Sequence, residues 1–446
     1  MMHEYLHIEQ SLGLNGQASL FGAKNAVLVI MASTLLTNGK SRFTNVPRSH
    51  DVYQMMRLLT SLGAAVSFDE EVHILEIDTS FVNKFSVSAD LMGKMRASVL
   101  VMGPLLARFG QAQVTLPGGC VIGARPIDYH LKNFERMGVF IESIQEVVCA
   151  KVAALRPTKL VFDYPSVGAT ENILMLATLT QGITRIVHAA LEPEVLDLIA
   201  VLKKMGAKIT IMPPATIEIE GVNQLYPVEH EIMPDRLEAG ALLLAAAITG
   251  GQVHIPQAPA YAMEIFLSKL QDMGHVIQVG PLDVGITLKA TTDPKAVSFK
   301  TTPYPGFPTD LQAPMMAAQC LASGTSIIEE TVFENRLVHV RELQKMGAQI
   351  VVKHNVAHVT GVDELYGAQV IASDIRASCA LVLAGLASTG ITIMSAVHHW
   401  RRGYDALEQK LGLLGARIAY HYEESPKNTI DPLLSSAKQS HLHHVS

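Results

Sequence analysis

Cysteine is scarce in this chain of 446 residues. There are four, Cys120, Cys149, Cys320 and Cys379, and no two form a Cys-x-x-Cys pair. That spacing argues against a disulfide framework and a thioredoxin-like site, and it suits a reducing compartment. Positive charge is not in excess either: 35 Lys and Arg against 41 Asp and Glu give a net charge of −6, with no basic tail or stripe. A generic nucleic-acid binder is set aside on that ground, and any anion site has to be a local concentration of Lys and Arg. Apolar runs such as Ala239–Ile248 fall well short of the ~20 residues that cross a membrane. The opening Met-Met-His-Glu-Tyr-Leu-His has neither the basic start nor the apolar core of a secretory signal. Several motifs are missing as well. No Gly-x-Gly-x-x-Gly follows a strand, and there is no Walker loop and no Gly-x-Ser-x-Gly elbow. We expect no zinc pair of the His-Glu-x-x-His type among the histidines, whose spacing does not continue into a metal set, and adjacent residues such as His398 and His399 diverge on most backbones. We expect a cytoplasmic protein with no metal, no cofactor, no nucleic-acid partner and no membrane partner.

A repeat is present in place of those motifs. A Leu/Met-Gly-Ala-like step recurs at Gly63, Gly138, Gly206, Gly274, Gly347 and Gly415, and a second glycine precedes each, at Gly39, Gly110, Gly182, Gly250, Gly324 and Gly390. Each copy has the same grammar. A small-residue apolar helix comes first, as in Val27–Thr37, Ile173–Thr180, Ala239–Thr249 and Leu381–Ser388. The first glycine ends it in the left-handed position. A β-branched strand follows (Thr184–Val187, Gln252–Ile255, Thr325–Ile328, Ile391–Met394), and then an amphipathic helix (Asp51–Leu62, Glu194–Met205, Glu264–Met273, Val338–Met346, Gly403–Leu414). The Ala-rich first helices are expected to be buried on all sides. Six αβ units without a long linker suggest three per domain, with the softest boundary near Tyr226–Pro234. The stretch from Glu423 to Ser446 is polar and aperiodic, and it reads as a disordered tail.

Against so apolar a background the polar clusters stand out. Leu116–His130 is a loop rich in Gly and Pro that carries Cys120 five residues before Arg125. A nearby cation lowers a thiol pKa, although an incidental surface cysteine would look the same. Lys24 stands where the first apolar helix begins. There it opposes the helix dipole unless an anion binds beside it; a solvated lysine is the alternative. Met95-Arg96-Ala97-Ser98 and Ile375-Arg376-Ala377-Ser378 each set an arginine at a helix mouth, readable as a repeated structural ion pair. Asp310 in Phe307–Asp310 reads as an N-cap. Arg336 and the pair Arg401-Arg402 read as loop charge.

Taken together, these motifs resemble the enolpyruvyl transferase family over about residues 5–420. The matching stretches include Gly22–Asn25, Asn45-Val46-Pro47, Met95–Ser98, Leu116–Arg125, Pro165–Thr170, Glu192-Pro193-Glu194, Pro234-Asp235-Arg236, Phe307–Asp310, Glu330–Arg336, Asp374–Ser378 and Arg402-Gly403-Tyr404. The resemblance implies a two-domain inside-out α/β barrel of six repeated αβ units, three per domain. Its helices would be buried and its sheets solvent-facing, with the active site in the cleft between. Residues 23–232 would form one domain, residues 1–22 with 233–422 the other, and 423–446 a tail.

The implied reaction moves the enolpyruvyl group of phosphoenolpyruvate to the 3-hydroxyl of UDP-N-acetylglucosamine and releases phosphate, the entry to peptidoglycan synthesis. By resemblance Cys120 is the acid of a mobile loop and the residue alkylated by fosfomycin, and Asp310 is the base. Lys24, Arg125 and Arg402 surround phosphoenolpyruvate, while Arg96, Asp374 and Arg376 are further polar residues of the cleft. Asn25, Pro126, Ser166, Val167, Gly168, Val332 and Arg336 fall where the family contacts the sugar nucleotide or shapes its site. Two other readings share much of this set: a transferase with another acceptor, such as shikimate 3-phosphate, and a paralogue that binds sugar nucleotide without turnover. Arg401 stands where the family usually has aspartate, replacing a possible counter-charge to Arg402 with a cation. Tyr164-Pro165 replaces a lysine that some relatives carry near Ser-Val-Gly.

Overall fold

The computed structural model of the chain describes residues 2–94, 96–115, 127–144 and 147–424. Its strands form six small sheets, five of four strands and one of three. The sheets share a plan. In Lys159–Val161, Ile183–Val187, Thr216–Glu220 and Lys208–Met212, a short edge strand runs parallel to the next and the other pairings are antiparallel. In the three-stranded sheet a single parallel bridge, Ser86 to Gln113, stands where the edge strand would be.

Three sheets are completed by distant chain. Met2–Glu9 inserts between Ile391–Ser395 and Arg417–Glu424, antiparallel to both. Asn15–Gln17 forms the parallel edge of the sheet at Gln252–Pro259, and Glu229–Glu231 does the same for Lys40–Thr44. The last strand, Arg417–Glu424, runs two residues into the segment expected to be tail.

The core has two separate apolar clusters. One draws on residues from Ala23 to Ile232. The other joins Leu6–Leu20 to residues from Leu237 to Leu414. The chain passes between them twice, and the two crossings lie side by side: Ala23 N–H donates to the Met233 carbonyl (2.7 Å) and Asp235 N–H to that of Phe21 (3.0 Å). Gly22 is required there, because a Cβ would stand 2.1 Å from the Asn45 carbonyl oxygen.

The first helices of the units are buried on nearly every side, as their small residues lead one to expect. In Arg236–Thr249 every residue but Ile248 is buried, and in Gln312–Gln319 all eight are. They begin earlier than the apolar pattern suggests, at Lys24, Val167, Arg236 and Ile375. Polar first turns hide these starts from a search for apolar periodicity. Ser166, Asp235 and Asp374 each cap a helix by accepting backbone N–H bonds, which is how a helix satisfies its orphan donors. The first glycines behave differently from expectation. Gly110 and Gly250 do end helices in the left-handed region, but Gly182 and Gly390 follow an intervening turn and lead into the strand instead.

Two expectations about histidine need correction. His398 and His399 do not diverge: they open the helix His398–Gly403 with ring centroids 4.0 Å apart. His3-Glu4-Tyr5-Leu6-His7 does spell a zinc-protease motif, but on the strand Met2–Glu9. At about 3.3 Å per residue its two histidines are too far apart to share an ion. Among the described residues, no group of three His, Cys, Asp or Glu is placed to hold a metal, and no helix is long and apolar enough to cross a membrane.

Candidate active site

Polar residues at the starts of the buried helices are linked into two ion systems. In the first, Lys24 opens the helix Lys24–Ser33 and its Nζ lies 3.3 Å from Asp51 Oδ2, both side chains being buried. The other Asp51 oxygen, Oδ1, accepts from Arg402 Nε at 2.9 Å. One carboxylate thus holds two cations from opposite ends of the sequence. Burial lowers the Lys24 pKa; Asp51 opposes this, while Arg376 and Arg402 add to it. Burial would raise the Asp51 pKa, but Lys24 and Arg402 outweigh it and leave the carboxyl below its usual range.

The second system inverts the first. Asp310, in the turn Thr309–Leu311, accepts from Arg336 Nη2 at 2.7 Å on one oxygen and from Arg376 Nη2 at 2.8 Å on the other. Its expected capping role is replaced: Asp310 makes no cap bond, and Pro308 stands at the cap position. Burial would raise its pKa, but Arg376 and Arg336 together hold it far below the usual carboxylate range. Arg336 is not loop surface charge, since it is buried at the start of the turn Arg336–His339. Arg376 also donates through Nη1 to the Tyr404 hydroxyl at 3.3 Å. The systems sense each other, because Arg376 and Asp310 both act on Lys24.

The remaining expected residues lie around this pair. Asn25 is exposed beside Lys24. Asp374 is taken up by capping, accepting from the N–H groups of Arg376 (2.8 Å) and Ala377 (3.1 Å). Ser166 caps its helix through Ala169 N–H, and Val167 and Gly168 form the first turn. Gly168 packs against His130, whose ring would stand 3.3 Å from an added Cβ. Val332 N–H donates to Glu330 Oε1 (2.8 Å), and the other Glu330 oxygen accepts from Thr309, next to Asp310. Arg96 begins the turn Arg96–Val101. Cys120, Arg125 and Pro126 lie outside the described residues. The other cysteines are unpromising nucleophiles: burial pushes Cys320 up to about 12 and Cys379 up to about 11, and Cys149 is half-buried on a strand.

Asp51 is absent from the sequence-based set. It reads there only as the start of an amphipathic helix, and nothing local joins it to Lys24 or Arg402. Arg401 turns away from the site toward Glu4 and the Tyr420 ring, so the Arg402–Asp51 bond forms regardless of the cation next to it.

A third group flanks the pair. Arg236 grips Glu194 with two bonds, 2.9 and 3.1 Å, and Glu171 is buried beside Glu192 and Glu194. Burial first, then those two carboxylates, raise the Glu171 pKa well above normal. Such an acid keeps its proton in the folded state while the unfolded chain loses it near 4.5. Stability therefore falls as pH rises from there toward the folded pKa, by up to about 1.4 kcal/mol per pH unit for one proton. Glu238, raised to about 7 mainly by burial, has the same sign. Glu171→Gln should leave stability at pH 5 nearly unchanged and flatten its decline between pH 5 and 8, as read by denaturant unfolding at each pH. Equal slopes in the two proteins would contradict the assignment.

The chain resembles characterised proteins over nearly its whole length. Residues 8–411 match the family described as EPSP synthase (3-phosphoshikimate 1-carboxyvinyltransferase). The UDP-N-acetylglucosamine 1-carboxyvinyltransferase of Geobacter metallireducens is 46% identical over 405 residues, 91% of this chain and 96% of that protein. The protein of the same name from Dichelobacter nodosus is 46% identical over 415 residues, 93% of this chain and 98% of its own. Among solved structures, the enolpyruvyl transferase NikO from Streptomyces tendae superposes with a TM-score of 0.86 at 25% identity, covering 95% of this chain and all of that one. EPSP synthase from Acinetobacter baumannii gives 0.75 at 15% identity, covering 94% of this chain and all of that one, a likeness of fold. With six small mixed sheets, helix mouths lined by paired charges and these relatives, the chain belongs to the EPSP synthase family of enolpyruvyl transferases.

Proposed function

We propose that this chain transfers the enolpyruvyl group of phosphoenolpyruvate to the 3-hydroxyl of UDP-N-acetylglucosamine, releasing phosphate. The observation that carries the reading is the neighbouring pair of ion systems: two cations on the Asp51 carboxylate, and the Asp310 carboxylate held by two cations. Addition requires a proton to reach the enol methylene carbon as the sugar oxygen bonds to the adjacent carbon. Elimination then returns that proton and breaks the carbon–oxygen bond to phosphate. Lys24 and Arg402 are the cations for the phosphate and carboxylate of phosphoenolpyruvate, with Arg125 as a third. Asp310 accepts the hydroxyl proton, Arg376 and Arg336 keep it ionised, and Cys120 supplies the acid. Charges held in place beforehand in a site that excludes water supply much of the rate. Asn25, Pro126, Ser166, Val167, Gly168, Val332 and Arg336 contact the sugar nucleotide or shape its site, and Arg96 and Asp374 are further polar residues of the cleft. The relatives' names point to this acceptor rather than shikimate 3-phosphate.

In the same reading the chain is a two-domain inside-out barrel, with residues 23–232 as one domain and residues 1–22 plus 233–422 as the other. The two apolar clusters and the paired crossings at Gly22 and Pro234 support that division. Asp51 of the first domain and Arg402 of the second are already joined, so this contact ties the two domains together at the site. The proposed compartment is the cytoplasm.

Phosphate release from phosphoenolpyruvate, measured without acceptor, with UDP-N-acetylglucosamine and with shikimate 3-phosphate, tests the reading. Release should depend on the sugar nucleotide. Release with shikimate 3-phosphate alone, or binding of the sugar nucleotide without release, would overturn it.

A further inference from the structure

Three residues within one short segment hold three separate ionic partners. Arg402 reaches Asp51, Tyr404 accepts from Arg376, and Asp405 binds Arg48. The last of these contacts touches neither ion system of the candidate site, yet it has the most bonds. Asp405 is 3% exposed. It accepts the Arg48 backbone N–H at 2.8 Å, Nε at 3.2 Å and Nη2 at 3.1 Å. Arg48 lies between Val46 and Val52 of the first apolar cluster, whereas Asp405 lies between Tyr404 and Leu407 of the second. The clamp therefore spans the junction of the two clusters.

We propose that Asp405 is a positioning residue for the transfer. By clamping Arg48 it fixes the segment Arg402–Asp405 across the junction, so that Arg402 and Tyr404 reach the two ion systems together. The inference rests on the function proposed above. The backbone supports it: Ala406, the next residue, has φ of 49°, a conformation that a non-glycine residue keeps only when its surroundings impose it. The Arg48 guanidinium also lies over the Phe21 ring, 5.8 Å from its centre, and Phe21 belongs to one of the two chain crossings. A cavity of about 420 Å³ opens beside the clamp, lined by Arg48, His50, Tyr53, Arg401, Tyr404 and Tyr420 among others. Because the clamp borders open space rather than packed core, its bonds and not its surroundings hold the Arg48 side against Asp405.

The chain carries its own reporter. Trp400 is the single tryptophan. It is buried, its ring centre lies 5.5 Å from that of Tyr404, and its Nε1 donates to Glu408. Arg48→Met, Asp405→Asn and the double variant are compared with wild type, with Arg48→Lys as the conservative change. The readouts are kcat and KM for each substrate and the Trp400 emission change on adding UDP-N-acetylglucosamine. Each single variant should lower kcat/KM for phosphoenolpyruvate about 10- to 100-fold, the scale of a small misplacement. It should also alter the Trp400 response. The double variant should be no worse than the worse single one, because both break the same contact. Arg48→Lys should recover part of the loss. A folded Arg48→Met protein with wild-type kcat/KM and an unchanged Trp400 response, or losses that multiply in the double variant, would overturn the proposal. If Asp405→Asn fails to fold, Arg48→Met and Arg48→Lys decide alone. If the wild type releases no phosphate with the sugar nucleotide, the functional reading fails, and the Trp400 response still tests the clamp.

Discussion

Asparagine in place of Asp310 is expected to lower the rate of sugar-dependent phosphate release about 10²–10⁴-fold, the range of a positioned acid–base group. The exchange keeps the side chain's size and one acceptor oxygen, so the loss reports charge and basicity rather than shape. Its stability cost should stay below the ~3–5 kcal/mol of a broken buried pair, because Asp374 still acts on Arg336 and Asp235 on Arg376. The flanking arginines make Asp310 a weak base in the resting site. It therefore takes a proton only as the hydroxyl grows acidic, while the new carbon–oxygen bond forms. A carboxyl with a depressed folded pKa contributes stability above its unfolded pKa and loses it only as pH falls through the folded value. Wild-type activity should accordingly show no acidic limb from Asp310 above about pH 4. Single-turnover phosphate release across pH checks both points. Near-wild-type turnover in the Asp310→Asn variant would remove Asp310 from the base role.

The second large effect falls on Asp51, which the chain's motifs do not advertise. Asp51→Asn leaves the buried Lys24 beside Arg402 with no counter-charge between them. Breaking a buried pair from one side costs about 3–5 kcal/mol, a large share of the ~5–15 kcal/mol that keeps a domain folded. The remaining influences on Lys24, burial above all and then Arg376 and Arg402, lower its pKa, and only Asp310 opposes them. Lys24 should therefore lose its proton at a lower pH in the variant. The KM for phosphoenolpyruvate should rise with pH earlier than in wild type, in titrations from pH 6 to 10. Phosphoenolpyruvate, itself an anion, should raise the variant's melting temperature more than the wild type's by filling the missing counter-charge. Equal ligand shifts would indicate that the two cations do not face the substrate.

Much of the fold was legible before any coordinate. The Gly-Ala steps at Gly63, Gly206 and Gly415 and the small-residue helices marked six copies of one unit, because a helix buried on all sides must be small and apolar throughout. The helix starts were harder to read. Lys24, Arg236 and Arg376 interrupt the apolar pattern just where a first turn needs capping, so periodicity places the helices several residues late. The chemistry sits in those interruptions, which explains why the matched motifs were informative where the pattern failed.

Sequence alone determined the repeat, the family resemblance and which charged residues stand at helix mouths. All of these are local or cumulative properties of the chain. Only the tertiary structure decided which charges meet. Lys24, Asp51 and Arg402 come from the two ends of the chain, as do Arg48 and Asp405, and Asp310 draws on Arg336 and Arg376 from separate elements. A buried charge is tolerable only with its partner beside it. Because those partners lie far away in sequence, their pairing becomes visible only once the chain has folded.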